Sequence, residues 1–152
     1  FWNLIDAAAL ATPTGLGLGR LGNFINGELY GRTTDVPWAV IFKNGGPMPR
    51  HPSQIYEFLL EGVLLFALLW IGKRFFKRDG QISVLFMFGY TISRFIVEFF
   101  REPDAHIGYL ALGLSMGQWL SLVMAIASVI LLVVLNRPLP ETAAKRGKKK
   151  GQ

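Results

Sequence analysis

The stretch Met116–Leu135 (MGQWLSLVMAIASVILLVVL) contains no charged residue over twenty consecutive positions. As an α-helix it would be about 30 Å long, which matches the thickness of the hydrocarbon core of a bilayer. Ser115 precedes it and Gln118 follows three residues later, a capping-box pattern that favours a helix start here. Arg137 and Pro138 end the apolar run. The stretch predicts a transmembrane helix and, with it, a membrane protein.

Two further segments, Gln54–Gly72 and Gln81–Phe100, are also predicted to span the membrane. The first begins after Pro52 and Ser53, which favour a helix start. A fourth helix, from about residue 3 to about residue 24, is predicted to be broken by Pro13 and several glycines. The fold class is therefore all-α, a polytopic bundle of three clear transmembrane helices and one glycine-broken helix, with a small external loop.

The composition agrees with this class and excludes others. The 152 residues are 51% hydrophobic and 17% charged, with a mean hydropathy of +0.37, which is too apolar for an ordinary soluble domain. The net charge is +6, with many basic residues in the tail after Pro138. Basic faces interleaved with aromatic residues are absent, so no nucleic-acid partner is expected. The chain has no cysteine, which excludes disulfides and a cysteine nucleophile.

Loop charges orient the predicted helices. Four basic residues crowd the link 73–80, whereas the loop 102–115 contains no Lys or Arg. The positive-inside rule therefore places the link and the C-terminus in the cytoplasm, and the loop 32–52 outside. Three basic residues in that external loop argue mildly against this orientation, but the other two loops outweigh them. We expect residues 1–136 to form one membrane domain and 137–152 a disordered basic tail, and a short strand at Trp38–Phe42 in the external loop.

Dense polar chemistry follows an apolar run in residues 19–32, GRLGNFINGELYGR. Glycines let a ligand approach the backbone, while Arg and Asn side chains supply donors for an anion. Arg20, Asn23, Glu28 and Gly31 are therefore candidate site residues. The alternative is a polar helix end in which Arg20 reaches lipid phosphates. A dinucleotide site is rejected for the GxGxxG at residues 17–22, because no strand precedes it.

Arg94, Glu98 and Arg101 are spaced to share one helical face, and Tyr90 continues it one turn earlier. A charge at the centre of a membrane costs about 2.5–3.5 kcal/mol on insertion scales, so such charges pair or serve a site. Two interpretations remain open and are compatible. An Arg94–Glu98 pair could lock the bundle, or Arg94 could bind substrate near the residue 19–32 signature.

The remaining candidates are weaker. Glu57 is expected to be solvated near the outer end of its helix, whereas Glu61, a turn deeper, needs a partner or a proton. His51 lies at the outer boundary, where a hydrogen-bonded structural role competes with that of a base. His106 is weaker still. Neither histidine has ligand-spaced companions, so no metal is expected.

Residues 19–32 fit G-R-x-G-N-F-x-N-x-E-x-x-G, the signature of the bacterial prolipoprotein diacylglyceryl transferases, and the chain resembles that family. Residues 50–57, 94–104 and 115–118 look like later blocks, so the resemblance covers about 1–136. It implies a multi-pass inner-membrane enzyme that moves the diacylglyceryl group of phosphatidylglycerol to the lipobox cysteine of prolipoproteins, without a cofactor. It also implies that Arg20, Arg94 and Asn23 bind the head group, in a site that includes the residues Glu28, Gly31 and Glu98.

The chemistry of the residues agrees with this resemblance. The attacking thiol belongs to the substrate, and its pKa of about 8.5 means that it needs help to ionise. The departing phosphate needs cations, and arginine offers a planar fork with two donors. The family's His-Gly-Gly block, whose histidine is a candidate base, has no counterpart here and is expected upstream of Phe1. We therefore expect this chain alone to be inactive.

Two function classes compete with the transferase. A membrane-embedded lipid-binding or scaffold module would explain the spans, but it leaves the gathering of Arg20, Arg94 and Glu98 toward one membrane face unexplained. Part of a transporter would explain broken helices that carry charges, but it predicts an internal repeat, which the sequence lacks.

Overall fold

The computed structural model describes residues 1–102 and 111–137, and these form an all-helical fold. No named strand occurs in them. Four helices follow one another along the chain, together with a short 3₁₀ turn at Ala111–Gly113: α1 (Trp2–Asn26), α2 (Ser53–Gly72), α3 (Gln81–Val97) and α4 (Met116–Asn136). The all-helical prediction is confirmed. The predicted tail beyond Arg137, and His106, lie outside the described residues.

Two of these helices, α2 and α4, are long and apolar enough to cross a membrane. Helix α3 has 17 residues and ends at Val97, before the Phe100 predicted from the sequence. Many aliphatic side chains of α4 are exposed, including Val123, Ile126 and Ile130. Exposed apolar helix surface of this kind fits a lipid environment better than water.

The predicted capping box starts α4. The Ser115 hydroxyl accepts a hydrogen bond from the Gln118 backbone N–H at 3.2 Å, and the Ser115 N–H donates to Gln118 Oε1 at 3.0 Å. These bonds satisfy two groups that a helix N-terminus leaves unpaired. The start of α4 is thus predictable from the sequence to the residue.

Helix α1 is continuous from Trp2 to Asn26, so the predicted break was wrong. Pro13 supplies no N–H for the carbonyl of Ala9, four residues earlier. Thr12 Oγ1 donates to Ala8 O at 2.8 Å, and Thr14 Oγ1 donates to Ala11 O at 2.6 Å, so these hydroxyls bond other carbonyls of the helix. The helix nevertheless continues through Pro13. The helix ends at Gly27, which has a φ of +68°.

Helices α1 and α2 cross in backbone contact. A Cβ built on Gly62 would lie 2.9 Å from Gly17 Cα, and one built on Gly17 would lie 3.3 Å from Gly62 Cα. In contrast, a Cβ on Gly15 or Gly19 meets nothing within 4 Å among the described residues. The close packing uses the glycine pair Gly17 and Gly62, and the two exposed glycines of α1 do not take part in it.

The centre of α2, Phe58–Leu64, is wound as a π-helix, which the sequence did not predict. Glu61 lies within it and Glu57 directly precedes it. Stretches of π-helix are rare and occur frequently at functional sites, because the wider turn shifts the phase of the side chains. The irregularity thus falls on the part of α2 that carries its two carboxylates.

Hydrogen bonds connect α1, α3 and α4 at the end of the bundle away from the charged part of α2. Asp6 of α1 accepts hydrogen bonds from the backbone N–H groups of Gly80 and Ser83 at 2.7 and 2.8 Å, where α3 begins. Gln81 Nε2 donates to Asn136 Oδ1 at 2.7 Å, at the last residue of α4. The apolar core lies nearby and includes Ala9, Leu65, Leu69 and Ile82.

The loop 32–52 folds over the opposite end without a regular strand. The segment predicted as a strand, Trp38–Phe42, makes one isolated antiparallel bridge, between Val40 and Arg50. Prolines at positions 37, 47 and 49 supply no N–H donor, which prevents a longer ladder here. The strand prediction was wrong for this reason.

We predict that Gly62→Ala destabilises the 152-residue chain by about 1–3 kcal/mol, because its methyl group would overlap the α1 backbone at Gly17. Gly15→Ala is the matched control, since it adds the same methyl group to open space on α1 and should be neutral or slightly stabilising. The midpoint of thermal unfolding in detergent micelles checks both. Equal midpoints for the two variants would contradict a backbone contact at this crossing.

Candidate functional site

Glu57 is the centre of the charged site. Its side chain has no exposed surface, and three guanidinium groups surround it. Arg20 Nε lies 2.9 Å from Glu57 Oε2, while Arg94 Nη1 and Arg101 Nη1 lie 3.0 and 3.1 Å from Glu57 Oε1. The Arg94 and Arg101 contacts are hydrogen bonds, whereas the Arg20 contact is an ion pair without hydrogen-bond alignment. The expectation that Glu57 is solvated was wrong.

Two more carboxylates complete this group of charges. Glu61 is also without exposed surface, and its Oε2 lies 3.6 Å from Arg20 Nη2. Glu98 Oε2 lies 3.2 Å from Arg94 Nη2 and 3.9 Å from Arg101 Nε. We call these six side chains the arginine cluster: Arg20, Arg94, Arg101, Glu57, Glu61 and Glu98.

Glu98 connects the arginine cluster to α4. The Ser115 hydroxyl donates to Glu98 Oε1 at 2.9 Å, and a Cβ on Gly117 would lie 3.0 Å from the same carboxylate. The carboxylate thus lies at the N-terminus of α4, where the helix dipole favours negative charge. The predicted Arg94–Glu98 pair is present.

Arg101 reaches the arginine cluster from beyond the end of α3. The helix stops at Val97, and a turn through Phe100 leads to an antiparallel bridge between Gly31 and Arg101. The Arg32 N–H donates to Phe100 O at 3.0 Å, and Arg32 Nε donates to Arg101 O at 2.5 Å. The predicted common helical face thus holds for Arg94 and Glu98, whereas Arg101 is brought in by this bridge.

Gly31 occupies a position with no room for a side chain. A Cβ built there would overlap Phe100 O and would lie 2.9 Å from both His51 Cβ and His51 O. The Gly31 N–H donates to His51 O at 2.9 Å, which connects the signature to the start of α2. Close approach of two other segments is therefore the reason for glycine at position 31.

The other two signature candidates lie apart from the ion pairs. Asn23 is partly buried, and its backbone carbonyl accepts from the Glu28 N–H at 2.9 Å. The Glu28 side chain is exposed, while its carbonyl accepts from Gln54 Nε2 at 2.6 Å. Arg20 pairs with carboxylates of α2 and not with Glu28. The catalytic roles of Asn23 and Glu28 stay predictions.

His51 belongs to an aromatic group beside the arginine cluster. Trp38 Nε1 donates to Tyr56 Oη at 2.7 Å, and His51 Nδ1 is hydrogen-bonded to the same hydroxyl at 3.1 Å. Phe100 packs edge-on against both rings. Burial lowers the pKa of His51 below its ordinary 6.5, so the neutral ring is favoured. His51 thus has the hydrogen-bonded structural arrangement, one of its two predicted roles, and its role as a base stays a prediction.

Tyr90 lies on α3 next to the arginine cluster. Its ring stacks on Phe86, with the ring centroids 6.0 Å apart, and packs against the apolar core. Tyr90 precedes Arg94 of the arginine cluster by one turn of α3.

The arginine cluster can bind an anion. The side chains of Arg20, Arg94 and Arg101 are 18%, 20% and 17% exposed, whereas Glu57 behind them is fully buried. A ligand would therefore meet guanidinium groups that are already oriented by a carboxylate. Guanidinium forks bind phosphate and carboxylate with paired hydrogen bonds. The described residues contain no group of three or more side chains that could hold a metal ion.

Sequence reasoning ranked the two residues that organise this site too low. Glu57 and Arg101 were weaker candidates, and Glu61 was not placed in the site. A usable signal was present, because two carboxylates one turn apart in an apolar helix require cationic partners. Arg20 in the signature and Arg94 in α3 are cations that could serve as these partners.

Comparison with known proteins decides the family. The family model described as "Prolipoprotein diacylglyceryl transferase" matches residues 1–134, which is most of the chain. The chain belongs to this family.

Relatives of the family agree in name and in extent. Proteins named phosphatidylglycerol–prolipoprotein diacylglyceryl transferase from Idiomarina loihiensis and Methylobacillus flagellatus are 57% and 58% identical over 140 and 137 residues. These matches cover 92% and 90% of this chain, and 53% and 52% of the relatives. A protein of the same name from Pseudomonas paraeruginosa is 54% identical over 88% of the chain and 50% of its own length. The chain spans about half the length of these relatives.

We predict that Glu57→Gln destabilises the protein by about 3–5 kcal/mol, since it leaves three guanidinium groups around an uncharged amide. Glu102→Gln is the matched control. It removes a carboxylate that also pairs with an arginine, Arg50, at 2.7 Å, but the Glu102 side chain is 51% exposed. The control should lose less than about 1 kcal/mol. Similar losses in chemical denaturation of the two variants would refute a central role for Glu57.

We also predict that Gly31→Ala displaces the Gly31–Arg101 bridge and destabilises the 152-residue chain, because the methyl group collides with Phe100 O. Gly19→Ala, in the same signature, meets open space in this chain and is the control. The midpoint of thermal unfolding in detergent micelles is measured for both variants. An unchanged midpoint for Gly31→Ala would contradict the close approach at this bridge.

Proposed function

We propose that the full-length protein transfers the diacylglyceryl group of phosphatidylglycerol to the thiol of the lipobox cysteine of prolipoproteins. In this proposal, residues 1–136 form one membrane domain that contains the head-group half of the active site. The observation that carries it is the convergence of Arg20, Arg94 and Arg101 on Glu57, with each arginine partly exposed. The relatives' names supply the two substrates.

The reaction needs a cationic site where the phosphate leaves. The thiolate sulfur forms a C–S bond with the terminal glyceryl carbon, and the C–O bond to the phosphate breaks. The bonding electrons depart with glycerol phosphate, which gains negative charge as the bond breaks. Oriented guanidinium groups stabilise such developing charge without reorganisation. In our proposal Arg20 and Arg94 bind the head group, and Arg101 is a third donor.

The other signature residues have supporting roles in this proposal. Gly31 allows the close approach that positions Arg101, and Glu98 orients Arg94 through the 3.2 Å ion pair. In this proposal Asn23 contributes an amide to the head-group site beside Arg20 and Arg94, and Glu28 belongs to the same site.

We propose an inner-membrane location with several spans, in which α3 also crosses the bilayer. The loop 32–52 and the signature then face outward, and the C-terminus faces the cytoplasm. The hydrogen bond from Arg78 Nη1 to Leu135 O, 3.3 Å long, supports this orientation. It joins the basic link 73–80 to the end of α4, so both belong to one side, and the positive-inside rule makes that side cytoplasmic.

We expect Arg94→Lys to lower transfer by the full-length parent roughly 10²-fold, the usual cost of a lost transition-state donor. Lysine keeps the charge but cannot contact Glu57, Glu98 and a phosphate at once. Arg74→Lys, in the exposed basic link, is the control and should be normal. Transfer is measured as the mass gain of a lipobox peptide incubated with phosphatidylglycerol vesicles.

Near-normal transfer by Arg94→Lys would mean that charge alone suffices, and the bidentate role of Arg94 would be dropped. If the wild-type parent bound phosphatidylglycerol but never modified the peptide, the lipid-binding module would replace the transferase.

A further inference from the structure

The arginine cluster has no net positive charge with which to compensate an anionic ligand. Its three guanidinium groups and three carboxylates balance when all six side chains are ionised. A bound phosphate would add at least one negative charge next to two carboxylates that have no exposed surface. Uncompensated charge in such a setting is costly, so one carboxylate must change its state. This reasoning rests on the proposed function, in which the site holds a phosphate.

Two of the three carboxylates accept hydrogen bonds within the arginine cluster. Glu57 lies within 3.1 Å of nitrogen atoms from three arginines. Glu98 accepts from the Ser115 hydroxyl, pairs with Arg94 and lies at the N-terminus of α4. Glu57 accepts two hydrogen bonds from arginines and Glu98 accepts one from Ser115, and hydrogen bonds to an ionised carboxylate are the strong ones.

Glu61 differs from both. Its nearest cation is Arg20, at 3.6 Å, and neither of its oxygens accepts a hydrogen bond from the described residues. The same Arg20 fork approaches Glu57 more closely, at 2.9 Å. A phosphate that binds Arg20 would weaken the one ion pair of Glu61 further. A buried carboxylate without hydrogen bonds favours its neutral form.

The described surroundings of Glu61 come from three helices. The charged and titratable groups that face it are Arg20 from α1, Glu57 from α2, and Tyr90 and Arg94 from α3. The Glu61 side chain is fully buried among the described residues. The like charge of Glu57, one turn away, adds to the tendency of Glu61 to hold a proton.

We propose that Glu61 is the proton-binding group of the phosphate site, and that it takes up one proton from water when the phosphate of an anionic lipid binds Arg20, Arg94 and Arg101. No covalent bond changes in this step. The net charge of the cluster becomes +1 through the proton, and the phosphodiester charge of −1 neutralises it. Lipid binding and the protonation of Glu61 are thereby linked.

The linkage makes lipid affinity depend on pH. With one proton taken up, the dissociation constant rises about tenfold per pH unit wherever Glu61 is ionised in the free protein and neutral in the complex. Affinity therefore strengthens as the pH falls. Glu61→Gln mimics the protonated acid, so the variant should bind lipid without this dependence.

Calorimetry on the full-length parent tests the proposal. Dihexanoyl phosphatidylglycerol is titrated into the enzyme between about pH 6 and pH 9, in buffers with different ionisation enthalpies, and the enthalpy difference gives the protons bound. We expect about one proton within this range for the wild type and for Glu102→Gln, whose carboxylate lies outside the cluster. Glu61→Gln should take up none and should keep the wild-type affinity at low pH.

No uptake by the wild type at any of these pH values, or unchanged uptake in Glu61→Gln, would overturn the proposal. Infrared difference spectra of the wild type test it without a variant, since a protonated carboxyl band must appear on lipid binding. Glycerol phosphate should bind more weakly than the lipid, and equal affinity would refute the lipid as the source of the phosphate. Absence of all phosphatidylglycerol binding would instead refute the proposed function.

Discussion

A buried carboxylate that three arginines share is the constraint on which the rest of this structure depends. Glu57 has no exposed surface, and its partners come from α1, from α3 and from the turn beyond α3. A single unpaired charge in an apolar helix is expensive, so these segments must meet at one point. Helix packing, the path of the signature and the end of α3 all satisfy that requirement.

Small residues make the meeting possible. The crossing of α1 and α2 at Gly17 and Gly62 brings Arg20 within reach of Glu57, because Arg20 lies one turn beyond Gly17 on α1. Gly31 performs the corresponding task for Arg101 by allowing the backbone bridge next to Phe100. Glycine lets backbone segments approach closely at these positions, so the ion pairs of the arginine cluster depend on packing outside the cluster.

The charge balance of the site connects its stability with its chemistry. The arginines face outward and are partly exposed, while Glu57 and Glu61 lie behind them, so a ligand meets cations that are already oriented. Preorganisation of this kind is what stabilisation of a leaving phosphate requires. The same balance means that a bound anion requires a compensating change in charge. Glu61 makes the fewest polar contacts in the cluster and is therefore the group proposed to take up a proton. The arrangement of charges in the arginine cluster thus underlies both its ion pairs and the proposed uptake of a proton.

The sequence by itself determined the helical class, the start of α4 at Ser115 and the family, because hydropathy, capping and a long signature are local properties of the chain. It also indicated that Arg20, Arg94 and Glu98 belong together. Only the tertiary structure decided that α1 runs unbroken and that Glu57 stands at the centre of the site. The path of a helix at a proline depends on how the helix packs, and the burial of a carboxylate depends on which cations three distant segments bring to it. Both features depend on tertiary packing, which the spacing of residues within one segment does not predict.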